Sequence, residues 1–445
     1  MKRAVNFVFE DIDNFTNFID CKDANSSGIS RFTPSPVATG SIRKFNTGKI
    51  KVDFDITSSS NIHPDDVIIV STGVAHSPWD WCGYKDLPQK YDNSMQERFS
   101  VLYHINKRYL EKLQNKTAFL LLDQTHEGYH VEWLYEWFHD MCSQYNVSPS
   151  QIIYTTGELD SQQKYNKWCK ERQLSETLTI IPSTHFEHVI HTTYNNCVKK
   201  NEIKQIDFFD CVKHKKQNLK QIKLFNALQK RPRAHRAWLF SKLYDHNLLG
   251  TGICTMNVFE QRYSYYEGRF IEEDHYNELI NLLPLFPNYR DSSQDKDLFE
   301  SQSGATYITD LNTEVINNSW ITIVSEAQFA ENTCFISEKT FKPIVNLHPF
   351  IIYGNKNSLM HLKEMGYRTF DRWWDESYDS MDTWDRLDAI IGILEKLKGL
   401  SAKQLFKMYQ EMKPVLLHNL EVFNSNSLCA DKALLEIAKR QFNET

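Results

Sequence analysis

The feature that most constrains this chain is a repeated alternation of short apolar runs with longer amphipathic stretches. Aliphatic and β-branched runs occupy positions 5–9, 67–72, 118–123, 151–156 and 178–182, and then 223–228, 253–257, 320–326 and 350–354. Stretches of helical length and period lie between them, among them 94–113, 129–145 and 161–172. Strands separated by helices predict parallel pairing through crossover helices, an α/β architecture. Val67-Ile68-Ile69-Val70 and Phe119-Leu120-Leu121-Leu122 are apolar on both faces, as strands between two helix layers must be.

A chain of 445 residues exceeds what one hydrophobic core serves. The alternation restarts near residue 220, after a polar and basic stretch. We therefore expect two Rossmann-like domains, 1–215 and 216–400, followed by a helical segment, 401–445, that packs back on them. The Asn/Ser/Thr-rich residues 23–60 read as loops with an edge hairpin.

Nine cysteines lie singly, with no C-x-x-C pair, which argues for reduced thiols and against a disulfide framework or a zinc ribbon. No secretory h-region follows the N-terminus, and no apolar run reaches the ~18 residues of a membrane span. A cytoplasmic protein is expected. The net charge of −6 disfavours non-specific binding to nucleic acid. Residues 199–236 depart from that balance, with twelve Lys/Arg against three acids. They form either a solvated linker or an anion-facing stripe.

Ligands of doubly wound sheets bind beyond the carboxyl ends of strands. Three such loops are rich in proton-transfer and hydroxyl-binding groups: 73–80 with His76 and Asp80, 123–128 with Asp123, His126 and Glu127, and 155–158 with Glu158. In the second half, Lys230, Arg231, Arg233, His235 and Arg236 crowd a strand end and the first turn of the next helix. Cations oppose the dipole at that position, so their presence calls for an anion, which would gain backbone N–H groups and guanidinium contacts. A second segment places Ser337 as a helix N-cap, Glu338 in the first turn, Lys339 and Lys342 within reach of phosphate, and Pro343 early enough to be tolerated. An ordinary capped helix would need the same serine and glutamate.

The residues Ser325-Glu326, Phe335-Ile-Ser-Glu-Lys-Thr-Phe-Lys-Pro343 and His348-Pro-Phe350 resemble the donor-binding signature of α1,3-fucosyltransferase-like glycosyltransferases of the GT-B fold. Taken with Arg231-Pro-Arg-Ala-His-Arg236 and Leu121-Leu-Asp-Gln-Thr-His-Glu-Gly128, they are similar to large glycosyltransferase-like proteins of tailed phages. The resemblance implies two domains facing across a cleft and a nucleotide-sugar co-substrate, UDP- or GDP-linked. It implies that Glu338 and Lys339 hold ribose and diphosphate, and that one of Arg231, Arg233 or Arg236 neutralises phosphate. The sequence after Pro343 departs from a typical fucosyltransferase, so fucose and guanosine do not carry over.

Glycosyl transfer needs a base for the acceptor hydroxyl and positive charge for the leaving diphosphate. Asp123 or Glu127 is the expected base, with His76, Asp80 and His126 as competitors. No metal and no further cofactor are expected: Asp11-x-Asp13 and Asp53-x-Asp55 leave no buried strand, and His185, His188 and His191 read as a packed helix face. The phage resemblance and the basic stretch suggest 5-hydroxymethylcytosine in double-stranded DNA as acceptor, with glucosyl- or arabinosyl-type transfer. Such a base would need flipping out of the duplex, with Trp79, Trp81, Trp373 and Trp374 available for stacking. A glycan or lipid-linked acceptor is the alternative, and a non-catalytic nucleotide- or nucleic-acid-binding protein on the same frame is a second.

Overall fold

The computed structural model describes the strand backbones at 4–9, 45–46, 51–56, 67–74 and 289–291. It also describes residues 102, 105, 107–125, 128, 132–229, 233–256, 311–329 and 333–426. Two compact units emerge, one formed by the chain up to His185 and one by Phe186–Ser427.

The first unit contains strands β1 (Ala4–Phe9), β2 (Phe45–Asn46), β3 (Lys51–Ile56), β4 (Val67–Val74), β5 (Ala118–Gln124), β6 (Ile152–Thr156) and β7 (Thr179–Pro182). They form one sheet in the order β2-β3-β1-β4-β5-β6-β7, with every neighbour pair parallel except the β2–β3 edge pair. The edge hairpin expected within 23–60 is thus present, although its second strand also joins β1 in parallel. Helices α1 (Lys107–Gln114), α2 (Glu132–Gln144) and α3 (Ser161–Glu171) alternate with the strands. Their apolar faces, including Leu134, Phe138, Tyr165 and Trp168, close on Leu120, Leu122, Ile152 and Tyr154 of one sheet face.

The second unit opens with α4 (His185–Lys199) and α5 (Phe208–Gln217) and continues with β8 (Lys223–Leu228), α6 (Ala234–Asp245), β9 (Gly252–Met256), β10 (Tyr289–Asp291), α7 (Thr313–Asn317) and β11 (Ser319–Ser325). Then come α8 (Glu338–Val345), β12 (Phe350–Tyr353), α9 (Ser358–Glu364), α10 (Thr383–Lys398), α11 (Ala402–Glu411) and α12 (Lys413–Ser425). Its all-parallel sheet runs β10-β9-β8-β11-β12. Every residue of β11 is buried, the pattern of a central strand covered on both faces. Two Rossmann-like α/β units are therefore present, as the strand–helix alternation predicts.

Residues 186–215 lie with the second unit, whereas the sequence places them before the boundary at 215. Tertiary packing explains the difference. Phe208 stacks on Tyr409 of α11 with ring centroids 5.4 Å apart. The Lys215 ammonium is fully buried and donates to the carbonyls of Asn317 (3.0 Å) and Ser319 (2.6 Å). The Asn317 carbonyl ends α7, where a cation complements the helix dipole, and the Ser319 carbonyl opens β11. Helices α11 and α12, from the expected segment 401–445, also pack on this unit; residues 427–445 lie outside the described ones.

Three lysines of the basic stretch 199–236 have partners within the protein. Lys215 points inward, Lys204 pairs with Asp210 at 2.6 Å, and Lys200 lies 3.8 Å from Glu202. No helix among the described residues is long and apolar enough to cross a membrane.

Candidate functional site

Strand order in the second sheet reverses between β8 and β11, which pair directly. Such a reversal opens a crevice beyond the carboxyl ends of the two strands, because their connections leave to opposite sides. Both segments singled out by their charge begin there. The β8 exit leads to Arg233 and α6, and the β11 exit leads through Glu326 to Ser337 and α8.

Side chains lock the two strands together before the crevice opens. Asn226 donates to the hydroxyls of Ser319 (2.7 Å) and Thr322 (2.8 Å). Gln229, immediately after β8, donates its side-chain amide to Ser325 at 3.1 Å. Beyond it, the guanidinium of Arg233 donates to the carbonyl of Ala327, and that of Arg236 to the carbonyl of Glu326 at 3.3 Å. His235 lies 3.1 Å from that same Glu326 carbonyl and stacks on Phe329 with ring centroids 4.6 Å apart. Burial, together with Arg236 and Arg233, drives its imidazole well below the ordinary histidine range. It is therefore neutral, and its Nε2–H is the donor that the carbonyl requires.

Glu326 organises the other side. It is fully buried and accepts from the backbone N–H of Ser337 (3.1 Å), the Ser337 hydroxyl (2.5 Å), the Thr340 hydroxyl (2.6 Å) and the N–H of Ala327 (3.1 Å). Burial raises its pKa, a tendency opposed by Lys339 and by the Ser337 and Thr340 hydrogen bonds. Gly354, just past β12, has no room for a side chain: a Cβ there would lie 2.9 Å from Cβ and Cγ of Glu326. Arg386 of α10 donates to the Gly354 carbonyl and to that of Met381 (2.7 Å), closing this end of the crevice.

Ser337 is the N-cap of α8, as its sequence position predicts, but its hydroxyl is wholly buried and committed to Glu326. Glu338 is 5 % exposed and its carboxylate meets the Lys339 ammonium at 2.5 Å. Burial acts to raise the Glu338 pKa, but Lys339 and Lys342 outweigh it and hold the carboxyl below its ordinary value. Lys342 reaches Asn312 at 3.3 Å. Pro343 falls in the sixth position of α8, past the first turn. Instead of being absorbed at the helix start, it removes an i→i−4 hydrogen bond, to the Lys339 carbonyl.

The crevice thus gathers Arg233, Arg236, Glu338, Lys339 and Lys342 around Glu326; Arg231 lies outside the described residues. Its two helix starts differ. The N-terminus of α8 is closed by Ser337 and the Glu326 carboxylate, whereas the N-cap of α6 is Arg233, with no side-chain cap. Glu326 and Arg386 are the residues that sequence reasoning left without a role. An acid directly after a strand rich in aliphatic residues was a legible signal for the first; nothing local marks the second.

In the first unit, Asp123 ends β5 and is completely buried, its Oδ1 accepting from the N–H of Thr125 and the hydroxyl of Thr155, both at 3.0 Å. Glu158 is equally buried and meets Lys164 at 2.7 Å. The other base candidates, Glu127, His76, Asp80 and His126, lie outside the described residues, as do Trp79 and Trp81. Trp374 is buried and packs on Phe370, as does the half-buried Trp373, so these two offer no open stacking platform. His188 and His191 bond along their own helix, to Thr192 and Asn195, and the His191 ring packs on Phe423. Among the described residues no group of three His, Cys, Asp or Glu side chains is placed to hold a metal ion.

No family model matches the sequence, and no curated protein matches it. Among solved structures, the chain is similar to the N-terminal domain of Candida albicans trehalose-6-phosphate phosphatase at 11% identity and a TM-score of 0.45, over 99% of this chain and 97% of that one. It is likewise similar to the α,α-trehalose 6-phosphate synthase of Burkholderia multivorans, at 9% identity and a TM-score of 0.43, over 100% and 99% of the two chains. A UDP-forming α,α-trehalose-phosphate synthase from Burkholderia vietnamiensis gives 9% identity and a TM-score of 0.41, over 96% and 97%.

Proposed function

We propose that the chain is a glycosyltransferase whose nucleotide-sugar donor, UDP- or GDP-linked, lies in the crevice between β8 and β11. One observation carries this reading: among the described residues, four cations (Arg233, Arg236, Lys339, Lys342) lie with two carboxylates (Glu326, Glu338) at the switch point of a Rossmann-like sheet. A diphosphate supplies the missing negative charge, and the uncapped N-terminus of α6 supplies N–H donors for it. Glu326 already occupies the start of α8, so phosphate contacts there fall to the Lys339 side chain. Glu338, its carboxylate kept ionised by Lys339 and Lys342, accepts from the ribose hydroxyls.

In the transfer, an acceptor oxygen bonds to the anomeric carbon as the bond to the diphosphate breaks. The bonding pair leaves with the nucleoside diphosphate, whose charge the arginines and lysines neutralise. In this proposal the acceptor proton passes to Glu127 or His76 rather than to the expected Asp123, whose carboxylate is wholly buried and accepts from Thr125 and Thr155. The proposed reaction uses no metal ion.

Calorimetry with UDP and GDP tests the donor assignment. Glu338→Ala is expected to weaken binding of the preferred nucleotide by about 10- to 100-fold, the loss of one or two charge-assisted hydrogen bonds. Its melting temperature should stay close to that of the unaltered protein. Undiminished affinity would remove the ribose assignment.

The acceptor follows from a second observation. Within the basic stretch 199–236, Lys215 is buried against backbone carbonyls and Lys204 is paired with Asp210, which leaves fewer cations there for an anion. That favours a glycan acceptor over 5-hydroxymethylcytosine in duplex DNA. Incubation of hydroxymethylated DNA with a panel of nucleotide sugars, followed by nucleoside mass spectrometry, is expected to show no added hexose or pentose. A mass increment would restore the DNA acceptor.

A further inference from the structure

The carboxyl edge of the first sheet carries an unusual group of side chains. Gln124, Thr125, Ser161 and Ser183 each have a side-chain atom that is shut off from solvent and has no hydrogen-bond partner: Nε2 of Gln124 and the hydroxyls of the other three. All four residues are more than nine-tenths buried. Buried polar atoms are nearly always paired, because leaving one unpaired costs about 1–3 kcal/mol. One such atom is unremarkable; four at the ends of three adjacent strands are not.

Their positions converge. Gln124 is the last residue of β5 and Thr125 follows it. Ser161 opens α3 after β6, and Ser183 follows β7. Strands β5, β6 and β7 are direct neighbours, with Gln124 opposite Thr156 and Thr156 opposite Pro182. Backbone bonds extend the alignment past the strand ends, from Gly157 N–H to Gln124 and from Ser183 N–H to Thr156. Gln124 is held by Tyr154, whose hydroxyl donates to its Oε1 at 2.6 Å, which leaves the amide nitrogen as the unused group.

We propose that the carboxyl edge of β5–β7 is a binding subsite for a neutral, hydroxyl-rich ligand, which in the glycosyl-transfer reading is the acceptor glycan. Three hydroxyls and one amide N–H offer donors and acceptors in the mixture that sugar hydroxyls satisfy, since each of those both gives and receives a hydrogen bond. The local charge selects against anions. Asp123 and Glu158 are buried at this edge, and Lys164, the ammonium in the first turn of α3, is tied to Glu158 at 2.7 Å. A phosphodiester would face two carboxylates, whereas a neutral sugar meets no such penalty. Only the word acceptor rests on the proposed function; the neutral subsite stands on these side chains alone.

The test uses the full chain with methyl glucoside, methyl galactoside and N-acetyllactosamine as probes, read by saturation-transfer NMR and by thermal unfolding. At least one probe is expected to bind. Thr125→Val and Ser183→Ala should each weaken that binding roughly three- to tenfold. Without ligand, the same variants should melt at the same temperature or higher, because each removes a buried hydroxyl that lacks a partner. Unchanged probe affinity in both variants, or no binding of any probe, overturns the subsite. A fall of several degrees in melting temperature overturns it too, since it would assign the hydroxyls to internal water. Nucleotide affinity of the unaltered chain, measured alongside, separates the two proposals: no nucleotide binding would fail the donor reading and leave the glycoside result standing.

Discussion

Replacing Glu326 by alanine is expected to destabilise the second unit by about 3 kcal/mol and to lower its melting temperature by roughly 6–12 °C. The carboxylate accepts from two backbone N–H groups and two hydroxyls, in Ser337, Thr340 and Ala327, and its alanine variant leaves all of them buried without an acceptor. Each would have to find water or move, and Ser337 and Thr340 are both wholly buried. The start of α8 would loosen first, carrying Glu338 and Lys339 with it. Nucleotide affinity should therefore fall in parallel with stability. Glu338→Ala is the contrast, with affinity lost and stability kept. Differential scanning calorimetry decides the matter, and a change below about 1 °C for Glu326→Ala would show that its carboxylate does not hold α8 in place.

The second large effect is a dependence on pH. Burial lowers the Lys215 pKa from 10.5 to about 7, and the residues facing the ammonium supply no countercharge. Cys211 and Tyr409 are held up by burial, and His348 is held well down, so all three are neutral near pH 8. Between about 7 and 10.5 the unfolded chain keeps the Lys215 proton and the folded chain has lost it. The unfolded state then binds more protons, so stability rises with pH across that window, by up to about 1 kcal/mol per unit from this group alone. Below the window both states are protonated and the contribution is flat. Urea unfolding at pH 7, 8 and 9 should show the rise, and Lys215→Met should remove it. An unchanged slope in that variant would mean that the ammonium is stabilised in place by the Asn317 and Ser319 carbonyls and by the Trp320 and Tyr409 rings.

Much of the frame was legible beforehand. Nine strands were readable as short apolar runs, and each falls within two residues of its predicted bounds. The edge hairpin of β2 and β3 was expected only as a region, without strand bounds, and β10 was not expected at all, for a physical reason. All three are edge or near-edge strands, short or alternating in polarity, and take their conformation from a neighbour's backbone rather than from an apolar run of their own. The two donor segments were legible as cations where a helix dipole disfavours them, and Ser337 as an N-cap. Their sequence did not show that Arg233, His235 and Arg236 would turn to the carbonyls of Glu326 and Ala327 some ninety residues on.

The role of Ser337 marks the limit of local reasoning. Sequence can place a serine at a helix start, since capping depends on residues within one turn. Whether its hydroxyl meets a ligand or a neighbouring carboxylate depends on what the adjacent strand delivers, and here β11 delivers Glu326. Lys215 is a similar case. It reads as one more charge in a basic stretch, and only the packing of α5 on α7 and α11 turns it inward. By itself, then, the sequence determined the α/β class, the two-unit plan and the residue types at the crevice, because periodicity, capping and charge act over a few residues. The tertiary structure alone decided which of those residues are spent on each other and which keep charge for a ligand, because that balance is struck between strands far apart in the chain.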